Sequence, residues 1–374
     1  MSKTLRIMKN PFSGITLLLF GIVAYILFSS SCLPKIKIPV VGTLFGRAIS
    51  TTVDDELARL MLSSPTDGTV LALFESFSNA PLTTRTLAEI TRKHSMDVAT
   101  LYFLQQAYAD ERNRQAQDKY HTNLDALTNA GHSLAPLKDF HVAFVPGLDY
   151  NDTSNGGDFA RQRRLLSAHG ISNELILTDA WGLTDANAFV VADRLRALSK
   201  THQRIIVVSA SKGGLEAAVA LGRELKAEEC SSIKAWVSVG GILKGSPVAD
   251  TYMCWPKCWV AEIGLMTVGQ KISLVEDVSY AKRGSGFNDL VFPEQLMRVH
   301  FIGAPLSAQV EKRIRSNYCS ISAFGPNDGI TPLADEVSDG GIIVSELGLD
   351  HYYRSPDIDK KTIALALTVA ESVH

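Results

Sequence analysis

The segment from Arg204 to Leu221 constrains the fold more than any other part of the chain. It begins with the apolar, β-forming run Ile205–Val208, continues through small residues around Ser211, and ends in an alanine-rich run after Gly214. This pattern predicts a buried strand, a tight turn and a helix packed closely on a sheet. Such a turn suits a nucleophile, because it lifts the Ser211 oxygen out of the sheet and aims backbone N–H groups at an oxyanion formed there.

The residues that flank Ser211 fit this turn with one exception. The positions two before and two after a strained turn must be small, and Ser209 stands where glycine is usual. An ordinary loop between a strand and a helix is the alternative. Ser209-Ala-Ser-Lys212 also fits an S-x-x-K motif, but Gly213 and Gly214 disfavour the helix that this motif needs. We expect the Lys212 side chain to point to solvent, with steering of anionic substrates as the alternative.

Strand and helix patterns alternate around this segment. Further strands are predicted at Phe140–Val145, Glu174–Thr178 and Ile233–Val239, with amphipathic helices between them. This alternation predicts an α/β fold with a mainly parallel sheet and helices on both faces. Ligands of such sheets bind at the carboxyl ends of the strands, which is where Ser211 lies.

The regions on either side of the predicted sheet have other patterns. Residues 33–53 are basic, contain proline and are predicted as a connector, and helical patterns run from Asp54 to about Leu137. We therefore separate residues 33–137, a connector and N-terminal helical region that covers the sheet or contacts a partner, from residues 138–374. Within the latter the alternation lapses between about 249 and 293. This stretch is predicted as a cap insertion, or alternatively as helices packed on the sheet without a gating role.

The N-terminus has the pattern of an export signal. Three basic residues precede an apolar run from Ile15 to Phe28, and Cys32 follows three serines. Residues 1–32 are therefore predicted to be a signal peptide or a membrane anchor. Cys32 carries the lipid if the segment is a bacterial lipoprotein signal, and an uncleaved signal anchor is the alternative. Both interpretations place the rest of the chain outside the cytoplasm, tethered to a membrane on the periplasmic side or at the cell surface.

The net charge bears on a nucleic-acid partner, and the cysteines bear on disulfides and metal binding. The formal net charge of −2 gives no electrostatic basis for a nucleic-acid partner. Export permits disulfides, and Cys230, Cys254, Cys258 and Cys319 allow three pairings, with free thiols as the alternative. Cys254 and Cys258 could close a small loop. No second cysteine or histidine pair with ligand spacing accompanies them, so no metal site is predicted.

A serine nucleophile needs a base to remove its proton, and three of the nine histidines follow Ser211. His300 lies in a strand pattern, His374 ends the chain, and His351 lies in a polar turn between a strand-like segment and the final helix. A loop position leaves a side chain free to reach the nucleophile. We therefore predict His351 as the base.

The base in turn needs an acid that orients it. Asp328 lies in a turn-rich loop after the strand-like segment Ser320–Ala323, and it precedes the predicted base in the chain. Its alternative role is that of a simple turn residue beside glycine. Asp328 is the predicted acid, and Asp335 and Asp350 are held in reserve.

The predicted nucleophile, acid and base occur in the order that the α/β-hydrolase superfamily uses, and the chain resembles its lipase and esterase branches. The resemblance covers roughly residues 138–374. The segment Phe144–Tyr150 is similar to the loop that supplies one oxyanion donor, with proline where many relatives have histidine. The resemblance implies that the backbone N–H groups of Leu148 and Lys212 hold the oxyanion.

Together these patterns predict a membrane-tethered serine hydrolase that cleaves small-molecule or lipid carboxylic esters through an acyl-enzyme. No metal or organic cofactor is needed for this chemistry. An apolar cap would favour acyl chains. The alternatives are an acyltransferase or thioesterase of the same fold, and a non-catalytic hydrolase-like binding protein. The oligomeric state and the natural substrate are not predicted.

Overall fold

The computed structural model describes residues 36–129, 133–152, 156–267 and 269–373. Within these ranges the chain forms two sheets. The smaller is an antiparallel hairpin of β1 (Ile38–Leu44) and β2 (Arg47–Val53). The larger contains six strands: β3 (His141–Val145), β4 (Ser172–Leu175), β5 (Ile205–Ala210), β6 (Ile233–Val239), β7 (Met297–Ala304) and β8 (Ile342–Leu347).

The α-helices lie before, between and after the strands of the larger sheet. Side chains at Asp55, Ser95 and Asp110 accept hydrogen bonds from first-turn N–H groups and so determine where three of the helices begin. In chain order the helices are α1 (Glu56–Ser63), α2 (Gly68–Ser76), α3 (Thr84–Lys93), α4 (Met96–Ala109), α5 (Glu111–Thr128), α6 (Ala160–Ala168), α7 (Thr184–Ser199), α8 (Lys212–Val219), α9 (Pro247–Met253), α10 (Lys257–Thr267), α11 (Ser273–Asp277), α12 (Tyr280–Arg283), α13 (Arg315–Ser320) and α14 (Ile358–Ala370).

The larger sheet is parallel throughout, with the strand order β4-β3-β5-β6-β7-β8. From β3 the chain first moves outward to β4, and then crosses back to place β5 on the other side of β3. Such a change of direction opens a crevice at the carboxyl ends of the two adjacent strands β3 and β5, where ligands of open α/β sheets bind. The ends of β3 and β5 therefore frame the expected ligand site.

Helices cover both faces of this sheet, which confirms the predicted fold class. On β5, Ile205 and Val207 pack in the core formed with α7 and α8. Ile206 and Val208 point the other way and pack with residues of α5 and α14. A strand that buries both faces reads as a continuous apolar run, which is why the sequence identified β5 so clearly.

The N-terminal region differs from the prediction in one respect. Helices α1 to α5 form as expected, but the segment 33–53, predicted as a connector, contains the β1–β2 hairpin in its described part. Val40 and Leu44 of this hairpin are buried. A Cβ atom at Gly42 would lie 2.2 Å from the Leu62 carbonyl oxygen, so the hairpin packs directly against the end of α1. The hairpin depends on this contact across the fold, which a local pattern does not reveal.

Helix α5 covers the outer edge of strand β8. The Asn113 side-chain oxygen accepts the Ile343 N–H at 2.8 Å. Gln117 accepts the Ser345 N–H at 2.8 Å and donates to the Ser345 carbonyl at 3.1 Å. Unpaired strand edges invite association with other chains, and these amides occupy the edge instead. The N-terminal region thus covers the sheet, as one of its two predicted roles required.

Two predicted strands differ from the structure. Strand β4 lies at Ser172–Leu175, slightly earlier than predicted. The segment Ser320–Ala323, predicted as strand-like, is helical. It joins the end of α13 to a 3-10 turn at Ser322–Phe324. The hydroxyl groups of Ser320 and Ser322 each donate to a carbonyl three residues earlier, which favours a helical turn over an extended chain.

The predicted cap, residues 249–293, is built from short helices. Helix α9 buries Val248 and Ala249, whereas α10 buries none of its residues. Large apolar side chains on and just before α10 are exposed: Trp255, Trp259, Ile263 and Met266. No helix in the described ranges is both long and apolar enough to span a membrane. The predicted signal at residues 1–32, including the lipidation candidate Cys32, lies outside the described residues.

Candidate active site

Ser211 occupies a strained turn between β5 and α8. Its backbone has φ 52° and ψ −123°, a left-handed conformation that favours glycine. The Ser211 N–H donates to the Val239 carbonyl at 3.1 Å, and its carbonyl accepts the Ile242 N–H at 3.2 Å. These bonds to the segment after β6 hold the strained backbone in place. The turn therefore has the tight strand-to-helix geometry that the sequence predicted.

The residues around this turn are small because backbone atoms crowd them. A Cβ atom at Gly213 would lie 2.2 Å from the Pro146 carbonyl oxygen, and one at Gly214 would lie 2.7 Å from the Gly241 Cα. Ser209, which stands where glycine is usual, is fully buried, and its Oγ accepts the Trp236 indole N–H at 2.8 Å. The serine is accommodated because a buried donor on β6 uses its oxygen.

His351 reaches the candidate nucleophile from the turn after β8. Its Nε2 lies 2.8 Å from the Ser211 Oγ, a normal hydrogen-bond distance. The His351 backbone N–H donates to the Asp328 carbonyl at 2.9 Å, which fixes the turn against the neighbouring loop. The side chain is 9% exposed, so the imidazole is largely shielded while its Nε2 faces the serine.

Asp328 lies on the far side of the imidazole. Its Oδ2 is 2.5 Å from His351 Nδ1, and its Oδ1 accepts the N–H groups of Ile330 and Thr331 at 2.8 Å each. Asn327 supports the loop, since its side-chain oxygen accepts the Gly329 N–H at 3.0 Å. The carboxylate is fully buried and oriented by three donors. This arrangement can hold a neutral imidazole with Nδ1 protonated and Nε2 free to accept a proton.

The reserve candidates occupy other environments. Asp335 lies 3.2 Å from the Lys244 amine, and Asp350 accepts the N–H groups of Glu311 and Tyr352. His300 lies in β7 as predicted and accepts the Ser338 N–H at 3.2 Å. Burial lowers the pKa of His300 to about 3, so it stays neutral deep in the sheet. His374 lies outside the described residues.

Leu148 and Lys212, the expected oxyanion donors, follow the carboxyl ends of β3 and β5. Hydrogen bonds hold the loop on both sides of Leu148, from the Gly147 N–H to Gly157 and from the Asp149 N–H to Ala180. Lys212 is the first residue of α8, and first-turn N–H groups have no acceptor within their own helix. Both residues line the cavity that contains Ser211.

The Lys212 side chain does not point to solvent, so that expectation was wrong. It is buried and pairs with Glu216, one turn further along α8. Asn187 donates to Glu216 at 2.7 Å and to the Asp179 carbonyl at 2.8 Å. Burial raises the pKa of Glu216, although the nearby Lys212 opposes the shift. Apolar surroundings disfavour an unpaired ammonium, and this network supplies its partner.

The sequence patterns did not predict that Glu216 and Asn187 lie beside the candidate site. The network they form connects α8, which carries the candidate oxyanion donor Lys212, to the Asp179–Ala180 turn. The Ala180 carbonyl in turn accepts the Asp149 N–H and so holds the loop of the other candidate donor, Leu148. A signal was present, because Lys212 and Glu216 are four residues apart, a spacing that brings side chains together on a helix. Asn187 belongs to a different helix, and no local pattern marked it.

The possible disulfide between Cys254 and Cys258 does not form, and the alternative of free thiols holds for both residues. The Cys258 N–H donates to the Cys254 carbonyl at 3.0 Å, across the turn that joins α9 to α10. Among the described residues, no group of three or more His, Cys, Asp or Glu could hold a metal ion.

Ser211 and His351 open into a cavity of 1310 Å³ at the carboxyl ends of the strands. Its lining includes the candidate oxyanion donors, apolar residues from α9 to α11, and polar residues from α6 and from the segment after His351. The cavity is larger than most drug-sized ligand sites, so an extended substrate fits beside the serine. The arrangement can carry out attack by an alcohol, proton transfer through an imidazole and stabilisation of an oxyanion.

Comparisons with known proteins agree with this geometry at the level of the fold. No protein-family model matches the chain, and no curated protein matches it significantly. Among solved structures, the metagenomic carboxyl esterase MGS0156 matches with a TM-score of 0.52 at 19% identity, covering 63% of this chain and 77% of that one. The mature lipase BlEst2 of Bacillus licheniformis has a TM-score of 0.48 at 20% identity, covering 62% and 91%. The parallel sheet, the turn at Ser211 and the match to the carboxyl esterase together identify the fold of this chain as that of the α/β-hydrolase superfamily.

Proposed function

We propose that this chain is a serine hydrolase that cleaves carboxylic esters in the manner of an esterase or lipase. One observation carries the proposal. A continuous hydrogen-bonded line runs from the Ser211 Oγ to His351 Nε2 at 2.8 Å, and from His351 Nδ1 to Asp328 Oδ2 at 2.5 Å. The line ends at the mouth of a cavity large enough for an extended ester. A serine with a base and an orienting acid at these distances supports nucleophilic catalysis.

In the proposed reaction, the Ser211 Oγ attacks the ester carbonyl carbon while His351 Nε2 takes the hydroxyl proton. The carbonyl oxygen becomes an oxyanion, which the backbone N–H groups of Leu148 and Lys212 bind, each contributing about 2.7–4 kcal/mol. The C–O bond to the alcohol then breaks, and the alcohol leaves with the proton from His351. Water repeats the sequence on the acyl-enzyme and releases the acid. Asp328 keeps the imidazole in the required tautomer throughout.

The apolar part of the cavity supports an acyl chain as the group transferred to Ser211. Val248, Leu265 and Leu274 from the cap helices line this part, beside Val239 and Ile242. Each CH₂ group buried on such a surface contributes about 0.8 kcal/mol. The kcat/KM for p-nitrophenyl esters should therefore rise with acyl-chain length until the chain fills the cavity.

Labelling with a fluorophosphonate probe tests the proposed nucleophile. The full-length protein should label, and Ser211→Ala should not. Ser209→Ala is the matched control, because it removes the competing serine of the S-x-x-K motif and should still label. The proposal fails if the wild type does not react, or if Ser211→Ala reacts as fast as the wild type.

We also propose that the enzyme is tethered to a membrane on the outer side of the cytoplasmic membrane or at the cell surface. The support is the sequence pattern of residues 1–32, with basic residues before an apolar run and Cys32 after it. Membrane fractions extracted with alkaline carbonate should retain the protein. Palmitate labelling that disappears in Cys32→Ala would favour a lipid anchor, and unchanged membrane retention without labelling would favour a transmembrane one.

A further inference from the structure

The cavity wall beside His351 differs in charge from the wall formed by the cap. The cap helices contribute apolar side chains, whereas α6 and the segment that follows His351 contribute three arginines, Arg161, Arg164 and Arg354. Arg161 and Arg164 are three residues apart and share one face of α6. A substrate that extends from Ser211 in two directions therefore meets an apolar surface on one side and a cationic surface on the other.

Arg161 has a structural role in this wall. Its Nη2 donates to Asp359 Oδ1 at 2.6 Å and also to the Pro356 carbonyl, so it ties α6 to the start of α14. Arg354 is two residues before Pro356. The contact of Arg161 therefore joins the helix that carries Arg164 to the segment that follows Arg354, and both arginines line the same cavity.

Arg164 and Arg354 are the guanidinium groups available to a ligand. Arg164 is exposed, and no hydrogen bond or ion pair joins it to another described residue. Arg354 lies over the Tyr352 ring at 5.5 Å, and its Nη1 is 3.9 Å from Glu311, beyond hydrogen-bond distance. Glu311 also pairs with Arg313 at 3.1 Å, so one carboxylate faces two guanidinium groups.

The acidic residues of the lining do not neutralise this surface. Among the described lining residues two are acidic, Asp149 and Asp158. Asp158 accepts the Ala160 N–H at 3.0 Å and lies 3.9 Å from Arg163, and Asp149 has partners of its own. Positive charge therefore remains on this wall, a few residues from the base His351.

We propose that Arg164 and Arg354 form a subsite for an anionic group, a carboxylate or a phosphate, carried by the ester. Guanidinium groups present paired N–H donors that match the oxygens of both anions. The substrate class is then an ester that carries an apolar chain on one side of the reacting carbonyl and a negatively charged group on the opposite side. This inference rests on the proposed ester hydrolase function and deepens it.

Two pairs of matched esters test the subsite with the full-length protein. In the first pair the charge is on the acyl side, as in p-nitrophenyl monoglutarate against p-nitrophenyl valerate. In the second it is on the alcohol side, as in the butyrate ester of 3-hydroxyphenyl phosphate against its neutral dimethyl phosphate. We expect the anionic member of one pair to have a roughly tenfold higher kcat/KM at low ionic strength, because hydrogen bonds between charged groups are stronger than those between neutral groups.

Variants test whether a preference for the anionic ester depends on Arg164 and Arg354. Arg164→Gln and Arg354→Gln should each lower the ratio of anionic to neutral kcat/KM several-fold, mainly through KM, and added salt should lower it in the wild type. Arg85→Gln, at an exposed position on α3 away from the cavity, is the matched control and should leave the ratio unchanged.

The results separate this inference from the function on which it rests. Equal or lower kcat/KM for the anionic member of both pairs, in an enzyme that labels with fluorophosphonate and hydrolyses the neutral esters, would overturn the subsite alone. A preference that Arg85→Gln removes as effectively as Arg164→Gln would also overturn it. If the wild type neither labels nor hydrolyses any of the four esters, the proposed function fails and the subsite fails with it.

Discussion

Asp328 makes the contacts that an orienting acid needs, and backbone donors in its own loop position it. Its Oδ1 accepts two N–H groups, which leaves Oδ2 directed at His351 Nδ1. A carboxylate held in this way cannot rotate to exchange its oxygens without breaking two hydrogen bonds. The orientation of the imidazole therefore depends on this one side chain.

Asp328→Asn should lower kcat for p-nitrophenyl butyrate by roughly 10⁴-fold, because an amide in this position selects the wrong imidazole tautomer. The matched control is Asp350→Asn, since the Asp350 side chain accepts the N–H groups of Glu311 and Tyr352 and makes no hydrogen bond to His351. It should affect kcat far less. Equal losses in the two variants, or a loss below tenfold in Asp328→Asn, would show that Asp328 is not the orienting acid.

His300 should make the protein sensitive to acid. Its pKa in the folded state is lowered to about 3 by burial, whereas a histidine in the unfolded chain titrates near 6.5. The unfolded state therefore binds a proton that the folded state does not, so stability is retained above pH 6.5 and lost as the pH falls below it. One such group contributes a slope of about 1.4 kcal/mol per pH unit.

Urea unfolding between pH 7 and pH 4 measures this contribution. The free energy of unfolding of His300→Gln should fall less steeply with decreasing pH than that of the wild type. His141, whose pKa burial lowers to about 4, acts in the same direction and remains in both proteins. Parallel profiles for the two proteins would contradict the assignment of this pH dependence to His300.

At the scale of secondary-structure elements, the close approach of α8 to β3 depends on Gly213. Gly213→Ala places a methyl group 2.2 Å from the Pro146 carbonyl oxygen, which belongs to backbone and cannot rotate away. We expect a loss of about 1–3 kcal/mol or more in the free energy of unfolding, together with lower kcat, since Pro146 is two residues from the candidate oxyanion donor Leu148.

Gly264→Ala is the matched control for this substitution. Gly264 also lies in a helix, α10, but a Cβ atom there would meet nothing within 4 Å. The alanine should stabilise the protein by up to about 1 kcal/mol, because it restricts the unfolded chain without a clash. Thermal unfolding of both variants makes the comparison, and similar shifts would show that crowding at α8 is not the cause.

The elements that the sequence predicted well are those whose pattern is local. A run of four β-branched residues followed by small residues marked β5 and its turn, and the chain order of Asp328 and His351 led to the residues that now lie within hydrogen-bond distance of one another. The segment Ser320–Ala323 was misread, because a four-residue alternation of polar and apolar side chains does not distinguish a strand from a helical turn. Its serine hydroxyls donate to carbonyls three residues earlier, and these hydrogen bonds, which favour the helical turn, are visible only in the structure.

At the scale of the whole molecule, the N-terminal region and the sheet share one core. Residues of the β1–β2 hairpin and of α1 to α4 pack with Ile302, Leu306 and Ile343 from the sheet side. Contacts of this kind join segments more than two hundred residues apart, so no local pattern in the sequence indicates them. The same reason explains why the β1–β2 hairpin was missed, whereas the pairing of Lys212 with Glu216, four residues away, had a local signal in the sequence.

A substitution at Gln117 tests how much the covered edge of β8 contributes to the free energy of unfolding. Gln117→Ala removes both hydrogen bonds to Ser345 and leaves a buried backbone donor and acceptor without partners, so unfolding should become easier by about 1–3 kcal/mol. Gln115→Ala, at an exposed position on the same helix, should change stability by less than about 0.5 kcal/mol. Chemical denaturation compares the two, and an equal effect would mean that the edge contacts contribute little.

The positive φ at Ser211 also has a consequence for how this protein can be stabilised. A non-glycine residue held in that conformation costs about 1–3 kcal/mol, which the surrounding hydrogen bonds must offset. Glycine would relieve the strain but would remove the proposed nucleophile. The turn thus trades folding stability for reactivity, so a search for heat-resistant variants based on unfolding alone would select against the residue that we propose does the chemistry.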